Sequence, residues 1–414
     1  MNLIIYELKK ILKNKFIIYT LFGILIVNIL IILFGSTSGH FKANEPTIGT
    51  NFKRLKEEGE YFKGDIDENW VNNYNKKLET FLNNEQNLVP KSEREKIKND
   101  YIQEEFTEEE IKNLGNIIYL NEDARDFFAR FEEYNFYSDY FKKAEEYSLK
   151  LKESYRENYS GKKLKVLEEK VDKLYTNFIN NYDAKYNYDN GYWKFRIMHN
   201  FYPYTLGLAI IVSLSSIFSI EFSSNVEAIV LATKYGKNKI IFSKVISGFL
   251  FATLVFLIFE ITNIIIIFGF YSFTGWESVY PNFLLDNAPY LFNQLQISII
   301  TVLTTYFGVV LLFTITMLIS ACSKKIFNSI LISSLILFIP IFISSAINNP
   351  ALEIIYKFCP AYIISGIPLW QNLDLVYFFG QAIPIKYFIA IISIGIILIS
   401  IVISYNKFSK HQVS

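Results

Sequence analysis

Apolar and polar positions alternate in blocks along this chain. Residues 2–14 (NLIIYELKKILKN) put Ile4, Leu8, Ile11 and Leu12 on one helical face and Glu7, Lys9, Lys10 and Lys13 on the others. That is the pattern of a helix lying in a membrane interface. Residues 16–34 follow without a charge, roughly 28 Å as a helix and about one hydrocarbon thickness. This run exceeds a signal-peptide core of about 7–15 residues and follows an amphipathic segment, so an uncleaved first span is expected. Further apolar runs at 202–220, 240–271, 295–320, 329–346 and 387–405 bring the expected spans to six. The third is longer than one bilayer needs, which predicts a tilted or projecting helix. A block around Ile354, Ile355, Tyr362, Ile363 and Ile364 is broken by Pro360, Gly366 and Pro368. It reads as a short interfacial or re-entrant piece and not as a seventh span.

Between the first two spans the pattern changes. Phe127, Phe131, Tyr134, Phe141, Ala144, Leu151 and Tyr155, then Leu164, Leu167, Val171, Leu174 and Phe178, recur at helical spacing. Ser160 and Gly161 separate the two stripes, which predicts two long amphipathic helices packed antiparallel. The aromatics fit a packing seam better than a peptide-binding groove. Ser92-Glu-Arg-Glu after Pro90, and Thr107-Glu-Glu-Glu, have the spacing of capping boxes. The expected fold is an all-α membrane protein. Residues 1–35 hold the interfacial helix and span 1, 36–200 a helical extracellular domain, and 201–414 spans 2–6.

Composition sharpens the division. Residues 40–200 carry 59 of the 81 charged side chains, 27 basic and 32 acidic, while the chain as a whole is +1. Such a balance offers no footprint for nucleic acid. The two cysteines, Cys322 and Cys359, both lie outside the polar insert, so no disulfide framework is expected there. Lys9, Lys10, Lys13 and Lys15, then Lys234, Lys237 and Lys239, Lys324 and Lys325, and Lys407 and Lys410 fall on one set of connections. The stretch 272–293 has no Lys or Arg, and 348–386 has only Lys357 and Lys386. Under the positive-inside rule both termini are cytoplasmic and the insert is outside; long translocated segments escape the rule.

The chain lacks GxxxxGK[ST], HExxH and GxSxG, and its three histidines (His40, His199, His411) do not have metal-ligand spacing. No enzymatic site, bound cofactor or metal is expected within it. The polar island at 221–244, EFSSNVEAIVLATKYGKNKIIFSK, is different. It holds Glu221 and Glu227, an apolar patch with Ile229, Val230 and Leu231, a turn at Tyr235-Gly236, and lysines at 234, 237, 239 and 244.

That island resembles the cytoplasmic coupling loop of bacterial ABC type-2 exporter permeases. In those proteins an acidic residue, a short apolar helix, a small-residue turn and basic residues precede the next span. Residues 2–14 resemble the family's interfacial elbow helix, 318–330 (LISACSKKIFNSI) its connection between spans 4 and 5, and 405–414 (YNKFSKHQVS) its tail. Together with the spans, the resemblance covers about 250 residues. It departs at Asn225-Val226, where Gly-Thr is common, and the insert has no counterpart. The resemblance implies a permease in the bacterial plasma membrane, working with a second permease copy or homologue and two copies of a separate ABC ATPase that binds the ATP. Glu221, Glu227, Ile229, Val230, Leu231, Lys234 and Lys237 are the expected ATPase-coupling residues. An antimicrobial peptide, a drug or another amphipathic compound is the expected cargo. Two rival readings are an ATPase-independent receptor or immunity protein that binds a ligand through its extracellular domain, and a cation (sodium) exporter.

Glu260 stands within the third span, beside Thr262 and Asn263. An ionisable group there is costly in lipid and faces protein or water. Glu260 and Asn263 are therefore candidates for the transport path. Asn28, Thr301, Thr304 and Thr305 read as polar contacts between helices.

Overall fold

The computed structural model describes residues 2–37, 48–104, 106–224, 236–280, 286–346 and 350–409. It is predominantly helical, with six helices long and apolar enough to cross a membrane. Among the described residues the only sheets are two short antiparallel ribbons.

The chain opens with α1 (Asn2–Leu12) and α2 (Lys15–Thr37). Within the polar insert come α3 (Ile48–Tyr61), strand β1 (Gly64–Asp65), α4 (Glu68–Leu82), α5 (Lys91–Gln103), α6 (Glu108–Leu114) and α7 (Glu122–Ser138). They are followed by α8 (Tyr140–Asn158), α9 (Gly161–Asn181) and β2 (Lys185–Tyr186), which pairs with β1. The capping box at Thr107 forms, with Glu110 N donating to Thr107 Oγ1 at 3.2 Å and Thr107 N donating to Glu110 Oε2 at 2.8 Å. The one expected at Ser92 does not. The Pro90 carbonyl accepts from Glu93 N at 2.9 Å, so α5 starts at Lys91 and Ser92 falls inside its first turn.

The stripes at 127–155 and 164–178 become core. Phe131, Tyr134, Ala144, Tyr155, Leu167, Val171 and Phe178 are buried. The expected first helix is two, because the chain breaks at Asp139 between α7 and α8. Phe62 shows why rings dominate this core. Its ring stacks on Tyr134 at 4.2 Å between centroids and meets Phe131 edge-on at 5.0 Å. Such aromatic pairs contribute about 0.5–1.5 kcal/mol beyond the area they bury.

The apolar body consists of α2 with α10 (Asn190–Met198), α11 (Tyr202–Leu214), α12 (Ser216–Ser223), α13 (Ile241–Tyr271), α14 (Gln294–Cys322) and α15 (Ile326–Ala346). Three short helices, α16 (Pro350–Lys357), α17 (Pro360–Ile364) and α18 (Pro368–Gln371), lead through the hairpin β3 (Leu375–Phe378) and β4 (Gln381–Pro384) to α19 (Ile385–Ser409). The second expected span is thus α11 and α12, separated at Ser215. It is the most enclosed of the six, with 72% of its most apolar window buried, against 17% for α2. The peripheral helices leave whole apolar faces outward, as a lipid surround requires.

Helix α14 is the hub, in contact with α11, α12, α13, α15, α17 and α19. The broken block at 350–371 folds inward against it. A Cβ on Gly308, midway along α14, would sit 2.6 Å from the Ile364 Cα, and Gly207 leaves similar clearance for Leu337. Gly366 turns the chain back at φ +76°, and a Cβ there would meet Thr305 Oγ1 at 2.6 Å. Thr301 bonds its own helix at Ile297 O, whereas Thr304 Oγ1 accepts from Trp370 Nε1 at 3.0 Å. Non-helical backbone at this depth is tolerated because protein surrounds it.

The body has two unlike ends. At one, the insert rests on residues 272–280, 286–293 and 372–384. Val279 N donates to Lys185 O at 2.9 Å, Leu375 N to Tyr155 Oη at 3.0 Å, and Tyr182 Oη to Phe292 O at 2.5 Å. Helix α13 projects toward this end, where its Tyr271 ring meets Phe52 of α3 at 4.8 Å. The other end carries α1, both flanks of 225–235 and the end of α19, whose Phe408 packs on Phe218 at 5.0 Å.

Candidate functional site

Two clusters of buried polar groups interrupt the apolar body. The first flanks the 221–244 stretch. Lys244, in the first turn of α13, is 1% exposed. Its ammonium has three donors and three acceptors: Glu221 Oε1 at 2.7 Å, Glu7 Oε2 at 3.1 Å and Ile217 O at 3.0 Å. Lys10 Nζ adds a 3.3 Å contact to the same Glu221 oxygen. Glu7 and Lys10 share a helix face at i, i+3 spacing, so α1 presents both signs of charge to one point. A small cavity of about 20 Å³ lies beside this cluster, lined in part by Glu7, Lys10, Ile217 and Lys244.

Desolvating the three buried charges, Lys244, Glu221 and Glu7, costs several kcal/mol per ion, so this arrangement persists only because each has a close partner. What it achieves is geometric. Glu221 closes α12 and Lys244 opens α13, so their bond draws the two flanks of the intervening stretch together and ties both to α1. Of the expected coupling residues, Glu227, Ile229, Val230, Leu231 and Lys234 lie outside the described residues. Lys237 falls in a π-helical turn, Gly236–Ile240, that leads into α13. Glu221 is placed, and its oxygen faces lysines of its own chain.

The second cluster surrounds Glu260, which is 3% exposed. Tyr202 Oη donates to Glu260 Oε2. Tyr202 Oη is also 2.8 Å from His199 Nε2, and His199 Nδ1 is 2.8 Å from the Phe195 carbonyl. His199 Nε2 lies 3.4 Å from Glu260 Oε1. One turn along α13, Asn263 Oδ1 accepts from Asn28 Nδ2 at 2.8 Å, and Thr205 Oγ1 donates to Asn28 Oδ1 at 2.8 Å. Asn28 therefore does join helices, α2 to α11 and α13.

Neither His199 nor Tyr202 was singled out by spacing or motif. Their signal in the sequence was a histidine and a tyrosine three apart at the start of a span, which becomes meaningful only once α13 lies alongside. Lys244 was readable only as a loop lysine, and Glu7 only as part of a polar helix face.

A third group sits where the insert meets the body. Arg196 Nη1 donates to Asp286 Oδ2 at 3.0 Å, and its guanidinium lies 4.9 Å from the Tyr280 ring centroid. Gln294 Nε2 donates to Asp189 Oδ2 at 2.8 Å. Burial pushes the Asp189 carboxyl up to about 7, although nearby Arg196 acts in the opposite direction. Among the described residues no cluster of His, Cys, Asp and Glu could hold a metal ion. No family model, curated protein or solved structure matches the chain.

Proposed function

We propose that this chain is the membrane permease of an ATP-driven exporter of the ABC type-2 kind, coupled to a separate ATPase through residues 221–239. The observation that carries the reading is the ion cluster at the base of that stretch. A loop that only connects two spans needs no buried clamp. A loop that receives force from a partner does, because force is transmitted only if its flanks cannot splay. Glu221, Lys244, Glu7 and Lys10 supply such a clamp.

In this reading Ile229, Val230 and Leu231 fill a cleft on the ATPase, and Glu227, Lys234 and Lys237 set register at its rim. The lysine distribution supports a cytoplasmic position for this end and an outside position for the insert. Two ATPase copies act on two permeases, closing on ATP and moving α12 and α13 through the clamp. The cargo class is an amphipathic compound such as an antimicrobial peptide or drug, met outside by the helical insert.

Deleting residues 226–237 is expected to abolish co-purification of the partner ABC ATPase while the permease still reaches the membrane. An ATPase that remains bound and turns over normally would sink the proposal.

A further inference from the structure

The hydrogen bonds around Glu260 limit how many protons the group can hold. The Phe195 carbonyl can only accept, so His199 Nδ1 carries a proton and donates to it. Tyr202 has a single hydroxyl proton, which it can donate to His199 Nε2 or to Glu260 Oε2, and the Asn263 amide is a third hydrogen-bonding neighbour of the hydroxyl. If Tyr202 donates to Glu260, the Tyr202–His199 bond requires a proton on Nε2, and the pair is imidazolium with carboxylate. If Tyr202 donates to His199, the bond to Glu260 requires a carboxylic acid, and both groups are neutral. Each arrangement holds three protons on the trio and has no net charge. Removing one proton leaves a buried negative charge and one hydrogen bond fewer. Adding one leaves a buried positive charge and a hydroxyl proton without an acceptor. Both alternatives are penalised in a site where His199 is fully buried.

We propose that His199, Tyr202 and Glu260 form a proton-binding site that keeps one mobile proton inside the helical body. The proton passes between carboxylate and imidazole through the Tyr202 hydroxyl. Two concerted hops suffice: one O–H bond to Glu260 and one N–H bond to His199 exchange, while the hydroxyl gives up one proton and takes another. Nothing external is consumed. Glu260 Oε1 has no hydrogen-bond partner, yet it faces Nε2 at 3.4 Å, so it gains attraction only in the charged arrangement.

The surroundings favour a proton over a metal cation. The facing polar groups are the Asn263 and Asn28 amides from α13 and α2, the Thr205 hydroxyl from α11 and the Phe195 carbonyl from α10. The two nearest cationic side chains in sequence are engaged elsewhere, Lys194 at Gly35 O and Arg196 at Asp286. A cation at Oε1 would be pressed against the His199 ring nitrogen.

The site joins elements that otherwise belong to different ends. His199 lies where α10, beneath the insert, turns into α11; Glu260 lies on α13, whose first turn holds Lys244. The charged form adds ion-pair attraction between α13 and the α10–α11 junction, and the neutral form leaves hydrogen bonds alone. The proton's position therefore sets how firmly the two are held. This does not depend on the exporter reading.

The test is nitrogen NMR of the full chain in lipid nanodiscs, labelled with ¹⁵N-histidine and carrying His40→Gln and His411→Gln, so that His199 gives the only histidine signal. The expected Nε2 signal is averaged between protonated and unprotonated values, and Glu260→Gln moves it to that of a ring nitrogen without a proton. An Nε2 signal identical in the two chains overturns the proposal. Should Glu260→Gln fail to assemble, Tyr202→Phe supplies the second arm. Loss of the hydroxyl is expected to replace the averaged signal by that of a single protonation state, and an unchanged signal again overturns the proposal.

Discussion

Glu221 and Glu260 are both carboxylates buried in an apolar helical body, and they differ in what surrounds them. Glu221 faces the ammonium groups of Lys244 and Lys10 at fixed positions, and the cluster holds one arrangement. Glu260 faces a histidine and a tyrosine hydroxyl, which accommodate its proton in more than one place. The lesson is that burial alone does not define the role of an intramembrane carboxylate. Fixed counter-charges make a fastening, and titratable partners make a site that can change state.

The largest expected effect is at the fastening. Lys244→Ala leaves Glu7 and Glu221 buried without their shared cation, a loss of about 3–5 kcal/mol. It should appear as a lowered unfolding midpoint of the purified protein in nanodiscs, and adding Glu7→Gln with Glu221→Gln should recover part of it. If Lys244→Ala cost no more than Glu260→Gln, the contrast between the two sites would collapse.

A third carboxylate gives the next effect through pH. Asp189 is raised from an ordinary 3.8 to about 7 by burial. The folded protein then binds its proton more tightly than the unfolded chain, so the stabilising contribution is full below about pH 4 and is lost as pH rises through about 7. Asp189→Asn should remove that decline. The melting difference between Asp189→Asn and native protein is expected to grow from pH 5 to pH 8; a constant difference would contradict the assignment.

Glu260→Gln is expected to be milder, about 1 kcal/mol, because the Gln amide can still donate to Tyr202 while Tyr202 donates to neutral His199. The same thermal comparison measures it. Lys10→Ala should be smallest. The Lys10 side chain is 37% exposed, and a solvent-screened pair contributes about 0–1 kcal/mol. Raising salt should shrink the Lys10 effect further and leave the Lys244 effect nearly intact.

The spans were legible because a bilayer imposes length and apolarity on local sequence. The broken block at 350–371 was legible from its clustered breakers, since Pro360, Gly366 and Pro368 lie close together and Pro disrupts helical hydrogen bonding. The break at Asp139 was not, because an apolar stripe at steps of three and four continues in phase across a short helix interruption. Glu260 was conspicuous as a charge in a span, but its partners were not. His199 and Tyr202 are about 60 positions away, and only the packing of α11 on α13 brings them together. The clamp spans still more chain, with Glu7 meeting Lys244 across 237 positions. Pairings of that separation leave no local periodicity to read.

The inward-folded segment has a consequence for how the protein is made. Ile364 rests on Gly308 and near Gly207, both synthesised earlier, and Ile363 shares a cluster with Leu311 and with Ile389 of α19. An interrupted backbone leaves groups outside the regular helical ladder that lipid does not accept, so the segment is not suited to wait in the bilayer as a free span. Residues 350–371 are expected to stay at the surface until α11, α14 and α15 have assembled a slot, with α19 packing over them afterwards. Seating this segment is therefore expected to be a late, post-insertion step of biogenesis. A bulkier side chain at Gly308 would stall maturation there, with all six spans already threaded.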